Sequence, residues 1–310
     1  MKIGMIFPGQ GSQFVGMGKE FYDNERIFQE LFEEASSCLN VNFTRLCFAS
    51  SEAELMGTIN AQTSIFLISC ATAKLLEEKY KIVSNIVAGH SLGEYSAIFT
   101  AGGFSFPDGI YLLMKRALFM EEATNDENSG MIAVLNCSQS QLQEIVSRND
   151  VPGSDESVVE IVNFNSPNQL VVSGTLKELE KVSSDITLVG GKSIPLKVAG
   201  AFHSRLMKKA QEKFSAYLSK VNFKDLSVPL VSNVDAKEIK TADEISFELV
   251  KQIASPVQWW PSMQRFADCD LIIEVGPSGK FAKMLSREWK DKKIISVASP
   301  KDIENLLQLI

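Results

Sequence analysis

The chain has 310 residues, room for one large domain or two moderate ones at roughly 100–200 residues each. With 45% hydrophobic and 22% charged residues its composition is that of a globular protein, which excludes a disordered or collagen-like chain. Lys and Arg number 31 against 38 Asp and Glu, so a net charge of −7 offers no field to hold a phosphate backbone and argues against nucleic-acid binding.

The stretch Met1–Gly9 carries one positive charge, and its apolar run is too short for a secretory leader and is broken by Pro8. It reads as a buried strand over 2–7, followed by the turn-rich Pro8-Gly9-Gln10-Gly11-Ser12-Gln13. Apolar periodicity predicts helices near 20–38 and 62–79, a short strand over 86–88, a helix from Leu92 and another over 107–123. Strands separated by helices imply a parallel sheet covered on both faces. No run approaches the ~18–20 apolar residues of a membrane span. The longest, Ser64–Ala73, runs straight into the charged Lys74-Leu75-Leu76-Glu77-Glu78-Lys79. The five cysteines are scattered, with no CxxC pair, which points to a reducing compartment and no cysteine-based zinc site. A cytoplasmic protein that spans no membrane is expected.

Asn125-Asp126-Glu127-Asn128-Ser129-Gly130 reads as a polar break, after which the rhythm changes. A strand over 131–135, a helix over 139–147, strands over 158–162 and 169–173, a helix over 176–184 and a strand over 193–198 follow. This order, βαββαβ, is the ferredoxin-like signature. Beyond Gly200 the earlier rhythm resumes, with helices near 203–219, 243–253, 257–267 and 279–289 and strands near 228–232, 270–275 and 293–297. The expected architecture is a discontinuous α/β domain of residues 1–126 and 199–310 with a subdomain of residues 127–198 inserted in it.

Gly89-His90-Ser91-Leu92-Gly93 is a GxSxG pentapeptide between a strand and a helix, the setting of a nucleophile elbow. A Gly/Ser turn without chemistry is the plain alternative. A serine nucleophile needs a base, and the chain has two histidines, His90 and His203. His90 is poorly placed to face its neighbour's hydroxyl. His203 heads a stripe continued by Leu206, Met207, Ala210, Phe214 and Tyr217, which predicts an inward position in the first turn of a helix. The positive end of that helix would disfavour protonation.

Arg116 shares a helix face with Leu112, Leu113, Phe119 and Met120. A guanidinium there needs an anion, either an internal Asp or Glu or the carboxylate of a substrate. Gly9-Gln10-Gly11 follows the first strand, where open α/β sheets bind ligands, and its backbone could form an oxyanion hole with the amide of Leu92. Gly276-Pro277-Ser278-Gly279 reads as a strand-to-helix connection, and Trp259-Trp260 as core or cleft wall.

Several motifs stand in one order: Phe7-Pro8-Gly9-Gln10-Gly11-Ser12-Gln13, Gly89-His90-Ser91-Leu92-Gly93-Glu94-Tyr95, Met114-Lys115-Arg116, Asn163-Phe164-Asn165-Ser166-Pro167, Gly200-Ala201-Phe202-His203-Ser204, Pro256-Val257-Gln258-Trp259 and Glu274-Val275-Gly276-Pro277. Together they resemble the malonyl-CoA:acyl-carrier-protein transacylases across essentially the whole chain. The resemblance implies a hydrolase-like parallel-sheet core with an inserted ferredoxin-like subdomain. It also implies Ser91 as acyl-accepting nucleophile, His203 as base, the amides of Gln10 and Leu92 as oxyanion hole and Arg116 as ligand of the malonyl carboxylate. A main-chain carbonyl near Gln252 would orient His203, and Phe202 matches the malonyl-selective form. Ser278 departs from the pattern, standing where a glycine is usual.

The implied reaction is ping-pong transfer of malonyl from malonyl-CoA to the pantetheine thiol of holo-acyl-carrier protein. No metal and no bound cofactor are expected, and a monomer serving fatty acid synthesis is. A serine esterase or thioesterase, a stand-alone acyltransferase of polyketide assembly, and a silent carrier-binding module are the rival readings. Lys280, Lys283, Arg287, Lys290, Lys292 and Lys293 form either a docking surface for an acidic carrier or a solvated helix face.

Overall fold

A computed structural model describes residues 1–124 and 128–310 of the chain. Strand β1 (Ile3–Phe7) leads into helices α1 (Lys19–Asn24), α2 (Arg26–Leu39), α3 (Phe43–Ala49), α4 (Glu52–Met56) and α5 (Thr58–Tyr80). Strand β2 (Ile86–Gly89) and helices α6 (Gly93–Thr100) and α7 (Phe106–Glu122) follow. The middle of the chain forms β3 (Ser129–Leu135), α8 (Gln139–Asn149), β4 (Val159–Ser166), β5 (Gln169–Thr175), α9 (Leu176–Leu188) and β6 (Lys192–Pro195). The last part forms α10 (Lys208–Leu218), β7 (Leu230–Val231), β8 (Glu238–Ile239), α11 (Ala242–Gln252), α12 (Trp259–Gln264), β9 (Leu271–Val275), α13 (Lys280–Glu288), β10 (Lys293–Val297) and α14 (Pro300–Leu307).

A six-stranded sheet has the order β10-β9-β1-β2-β7-β8 and is parallel except at β8, which caps its edge antiparallel to β7. Every residue of β1, β2 and β9 is buried, as two helix-covered faces require. The carboxyl ends of β1 and β2 lie side by side, with Phe7 in register with Gly89. That juxtaposition brings the Gln10 loop and the Ser91 turn together at one edge, the usual ligand side of such a sheet.

A second, four-stranded antiparallel sheet has the order β4-β5-β3-β6, the arrangement of a ferredoxin-like βαββαβ unit. Helices α8 and α9 cover it over a core of its own that includes Ile132, Val134, Leu142, Ile145, Val172, Val182 and Ile186. Main-chain bonds stitch this lobe to the larger one. Val257 N–H donates to Val162 O at 2.7 Å and Phe164 N–H donates to Val257 O at 3.0 Å. Arg205 adds ion pairs to Asp150 (2.8 Å) and Glu160 (2.6 Å) across the same seam.

Several expectations need correcting. The predicted helix over 20–38 is two helices, because Glu25 takes an extended backbone (φ −124°) between them. Helices α3, α4 and α14 and strand β8 are additional elements. The strand expected over 193–198 ends at Pro195, and the helix expected over 257–267 is only α12. Part of the predicted break, residues 125–127, and with it the expected boundary at 126/127, lies outside the described residues. Helix α5, contrary to the reading of its apolar run, is long and apolar enough to cross a membrane by length and composition, and most of it is buried inside the protein.

Candidate active site

Ser91 sits between β2 and α6 with φ at 53°, a left-handed conformation that few non-glycine residues adopt. The flanking glycines are required by close approach. A Cβ on Gly89 would lie 1.9 Å from the carbonyl carbon of Gly93, and one on Gly93 would lie 2.4 Å from the Phe7 oxygen. The strained turn is held from behind by Asn233, just beyond β7. Its Oδ1 accepts from Ser91 N–H at 2.7 Å and its Nδ2 donates to Gly89 O at 2.6 Å. Asn233 in turn donates twice to Oε1 of the fully buried Glu94, from N–H at 2.9 Å and from Nδ2 at 3.0 Å. Burial and the nearby Glu248 raise the Glu94 pKa, while its amide donors and Arg116 oppose the rise.

His203 Nε2 lies 2.7 Å from Ser91 Oγ, and His203 Nδ1 lies 2.9 Å from the main-chain oxygen of Gln252. The partners determine the tautomer. Arg116 Nη2, which can only donate, approaches Ser91 Oγ at 2.9 Å, so the serine proton points to an unprotonated Nε2 and Nδ1–H donates to the carbonyl. Burial lowers the imidazole pKa to about 3, with the positive charge of Arg116 as the second cause. This corrects the predicted placement. His203 is not in a helical turn but in the turn before a short 3-10 helix (Arg205–Met207), with φ at 65°. Its neutrality comes from burial and a neighbouring guanidinium rather than from a helix end.

Arg116 is fully buried on α7. Its Nη1 donates to Gln62 Oε1 at 2.6 Å, and its Nη2 donates to Gln252 Oε1 at 2.9 Å as well as to Ser91 Oγ. All three acceptors are neutral, and none of the ion pairs among the described residues includes Arg116. The internal ion pair weighed from the sequence is therefore not what the fold provides. Nε is buried without a partner among the described residues. The guanidinium thus hydrogen-bonds only to neutral acceptors.

Ser91, His203 and Gln62 line a cleft of about 450 Å³ between the two lobes, and Arg116 lies behind them. Gln10, Gln62, His90, Ser91, Phe202 and His203 line its depth. The amides of Gln10 and Leu92 donate to no protein acceptor among the described residues, and Leu92 is the N-cap of α6, at the positive end of its dipole. His90 faces away from the serine, with Nε2 2.9 Å from Asn165 Oδ1 and 3.1 Å from Asn163 Nδ2, and its ring packs on Phe281. The basic cluster divides: Lys280, Lys283 and Arg287 line the cleft, whereas Lys292 bonds the carbonyls of Ala267 and Cys269. Trp259 is core, packed against His90 and Phe281, while Trp260 leans on Trp289. No group of three or more His, Cys, Asp or Glu among the described residues is placed to hold a metal ion.

Residues 5–300 match the family model of the acyl transferase domain. The chain belongs to that family. This acyltransferase is 37% identical over a 312-residue alignment to the malonyl CoA-acyl carrier protein transacylase of Bacillus subtilis (strain 168), which spans 100% of this chain and 97% of that one. The transacylase of the same name from Clostridium perfringens superimposes with a TM-score of 0.93 at 35% identity, over 99% of this chain and 96% of that one. A malonyl-transacylase in complex with its type II PKS acyl-carrier protein gives a TM-score of 0.95 at 29% identity, over 99% of both chains. The acyltransferase thus shares with these proteins its α/β fold of a mainly parallel sheet and a separate antiparallel one. Asn233, Glu94 and Gln62 are the members of its site that sequence reasoning did not single out. Asn233 follows a strand at the carboxyl edge of the sheet, and that position was the available signal.

Proposed function

We propose that this acyltransferase moves the malonyl group of malonyl-CoA to the pantetheine thiol of an acyl-carrier protein through a malonyl ester on Ser91. The observation that carries the proposal is the fully buried Arg116 guanidinium touching the serine hydroxyl at 2.9 Å, with only neutral acceptors around it. An esterase elbow needs no such cation; an acyl group ending in a carboxylate does. The names of the full-length relatives support the same substrate pair.

Ser91 Oγ gives its proton to His203 Nε2 and bonds to the thioester carbon, while the amides of Gln10 and Leu92 receive the oxyanion. The Gln252 carbonyl holds Nδ1–H and steadies the imidazolium. Collapse breaks the C–S bond, and the CoA thiolate leaves with the proton from His203. The carrier's thiol then gives its proton to His203 and attacks the ester carbon, and as the bond to Ser91 Oγ breaks His203 returns the proton to that oxygen. Phe202, in the cleft wall, limits the α-substituent of the acyl group. Segment 128–198 supplies one wall of the cleft, in a cytoplasmic monomer serving fatty acid synthesis. Intact mass measured after brief mixing with malonyl-CoA should show one malonyl adduct on the wild type and none on Ser91→Ala. An adduct that persists in the variant, or none in the wild type, overturns the covalent route, and rapid loss to water without a carrier indicates a thioesterase.

A further inference from the structure

Beyond the groups that face the substrate, one buried network determines how Arg116 presents itself. Gln252 Nε2 donates to the main-chain oxygen of Ser91 at 2.9 Å and to Glu94 Oε2, while its Oε1 accepts from Arg116 Nη2. Because a guanidinium has no acceptor, it forces Gln252 Oε1 toward itself and Nε2 toward Glu94. Both Glu94 oxygens therefore accept, Oε1 from Asn233 and Oε2 from Gln252. All four residues are buried, with exposures between 0% and 1%, so water cannot replace a lost partner.

We propose that Glu94 is a positioning residue for acyl selectivity: its carboxyl orients the Gln252 amide, which in turn aims Arg116 at the substrate carboxylate. The inference rests on the reading of Arg116 given above. Two amide donors hold Oε1 toward Asn233, so Glu94→Gln keeps an oxygen there and the elbow with it. Its new NH₂ then meets the NH₂ of Gln252. Turning Gln252 relieves the conflict but takes its donor from the Ser91 carbonyl and puts a donor against Arg116, which displaces the guanidinium.

Acylation of Ser91 by malonyl-CoA and by acetyl-CoA, followed by intact mass, separates the possibilities. Glu94→Gln should lower malonyl acylation by on the order of 100-fold, as expected for a reacting group misplaced by about an ångström. Acetyl acylation should fall far less. The exchange Glu94→Gln with Gln252→Glu restores matched donors and acceptors between the two positions but sets one carboxylate oxygen on Arg116 and leaves the Ser91 carbonyl without its donor. It should regain part of the thermal midpoint and leave malonyl acylation low, and it serves the test if the single variant does not fold. Equal losses for both acyl groups, no loss, or a double variant that regains malonyl preference overturns the proposal. Arg116→Ala separates it from the reading beneath it. If that variant loses malonyl and acetyl acylation equally, the carboxylate site itself is misassigned. If it loses malonyl selectively while Glu94→Gln does not, only the role of Glu94 fails.

Discussion

At the scale of single residues, neutrality of the imidazole is the property on which the proposed chemistry depends. A free histidine loses its basic form near pH 6.5. With burial and Arg116 holding His203 near 3, the proposed base is unprotonated throughout the neutral and mildly acidic range. Single-turnover acylation should therefore stay level from roughly pH 8 to roughly pH 5, and a half-fall near pH 6.5 would contradict the assigned environment. The same shift has a sign for stability. The unfolded imidazoles of His203 and His90 take protons below about pH 6.5, but the folded ones resist to about 3 and about 4, so stability falls as pH drops through that window. Glu274, pushed up to about 7 by burial, works in the other direction, because its folded form keeps a proton that the unfolded chain sheds above about pH 4.3.

At the scale of elements, the legible features were those with local signals. GxSxG between an apolar strand and a helix announced the elbow, and βαββαβ announced the small lobe. Helix α7 was readable because Leu112, Leu113, Arg116, Phe119 and Met120 share one buried face. Asn233 and Glu94 were not readable, because their meaning lies in contacts 139 to 144 positions apart that leave no periodicity behind. His203 was misplaced for the opposite reason. The stripe from Leu206 to Tyr217 is real, and extending it back one turn ignored a left-handed residue that no pattern rule reports. The turn before α13 is similar: Ser278 holds φ at 85°, and its buried hydroxyl has no partner among the described residues. Ser278→Gly relieves that conformation and removes no hydrogen bond, so it should raise the thermal unfolding midpoint, by the equivalent of about 1 kcal/mol. A lowered midpoint would show that the hydroxyl is needed.

At the scale of the molecule, the cleft exists because two lobes with separate cores are fastened along one seam. Arg205, two residues after the candidate base, joins Asp150 and Glu160 and also donates to the carbonyls of Val151, Ser154 and Ser157. Arg205→Ala leaves these acceptors unmatched and should destabilise the fold by about 2–3 kcal/mol. All three tryptophans, Trp259, Trp260 and Trp289, belong to the larger lobe. Urea unfolding followed by their fluorescence and by far-ultraviolet dichroism should give coincident curves for the wild type and separated curves for the variant. Coincident curves in both would mean that Arg205 does not couple the lobes.

The interleaving of the large sheet also orders events during synthesis. The small lobe is contiguous from β3 to β6 and can pair its strands as soon as they are made, whereas β1 waits for β9, more than 260 residues downstream. A nascent chain halted before residue 252 already carries Ser91, Arg116 and His203. It still lacks the carbonyl that holds the imidazole and the amide that orients the guanidinium. Competence to form the proposed acyl ester therefore arrives late in translation, after the side chains proposed to carry it.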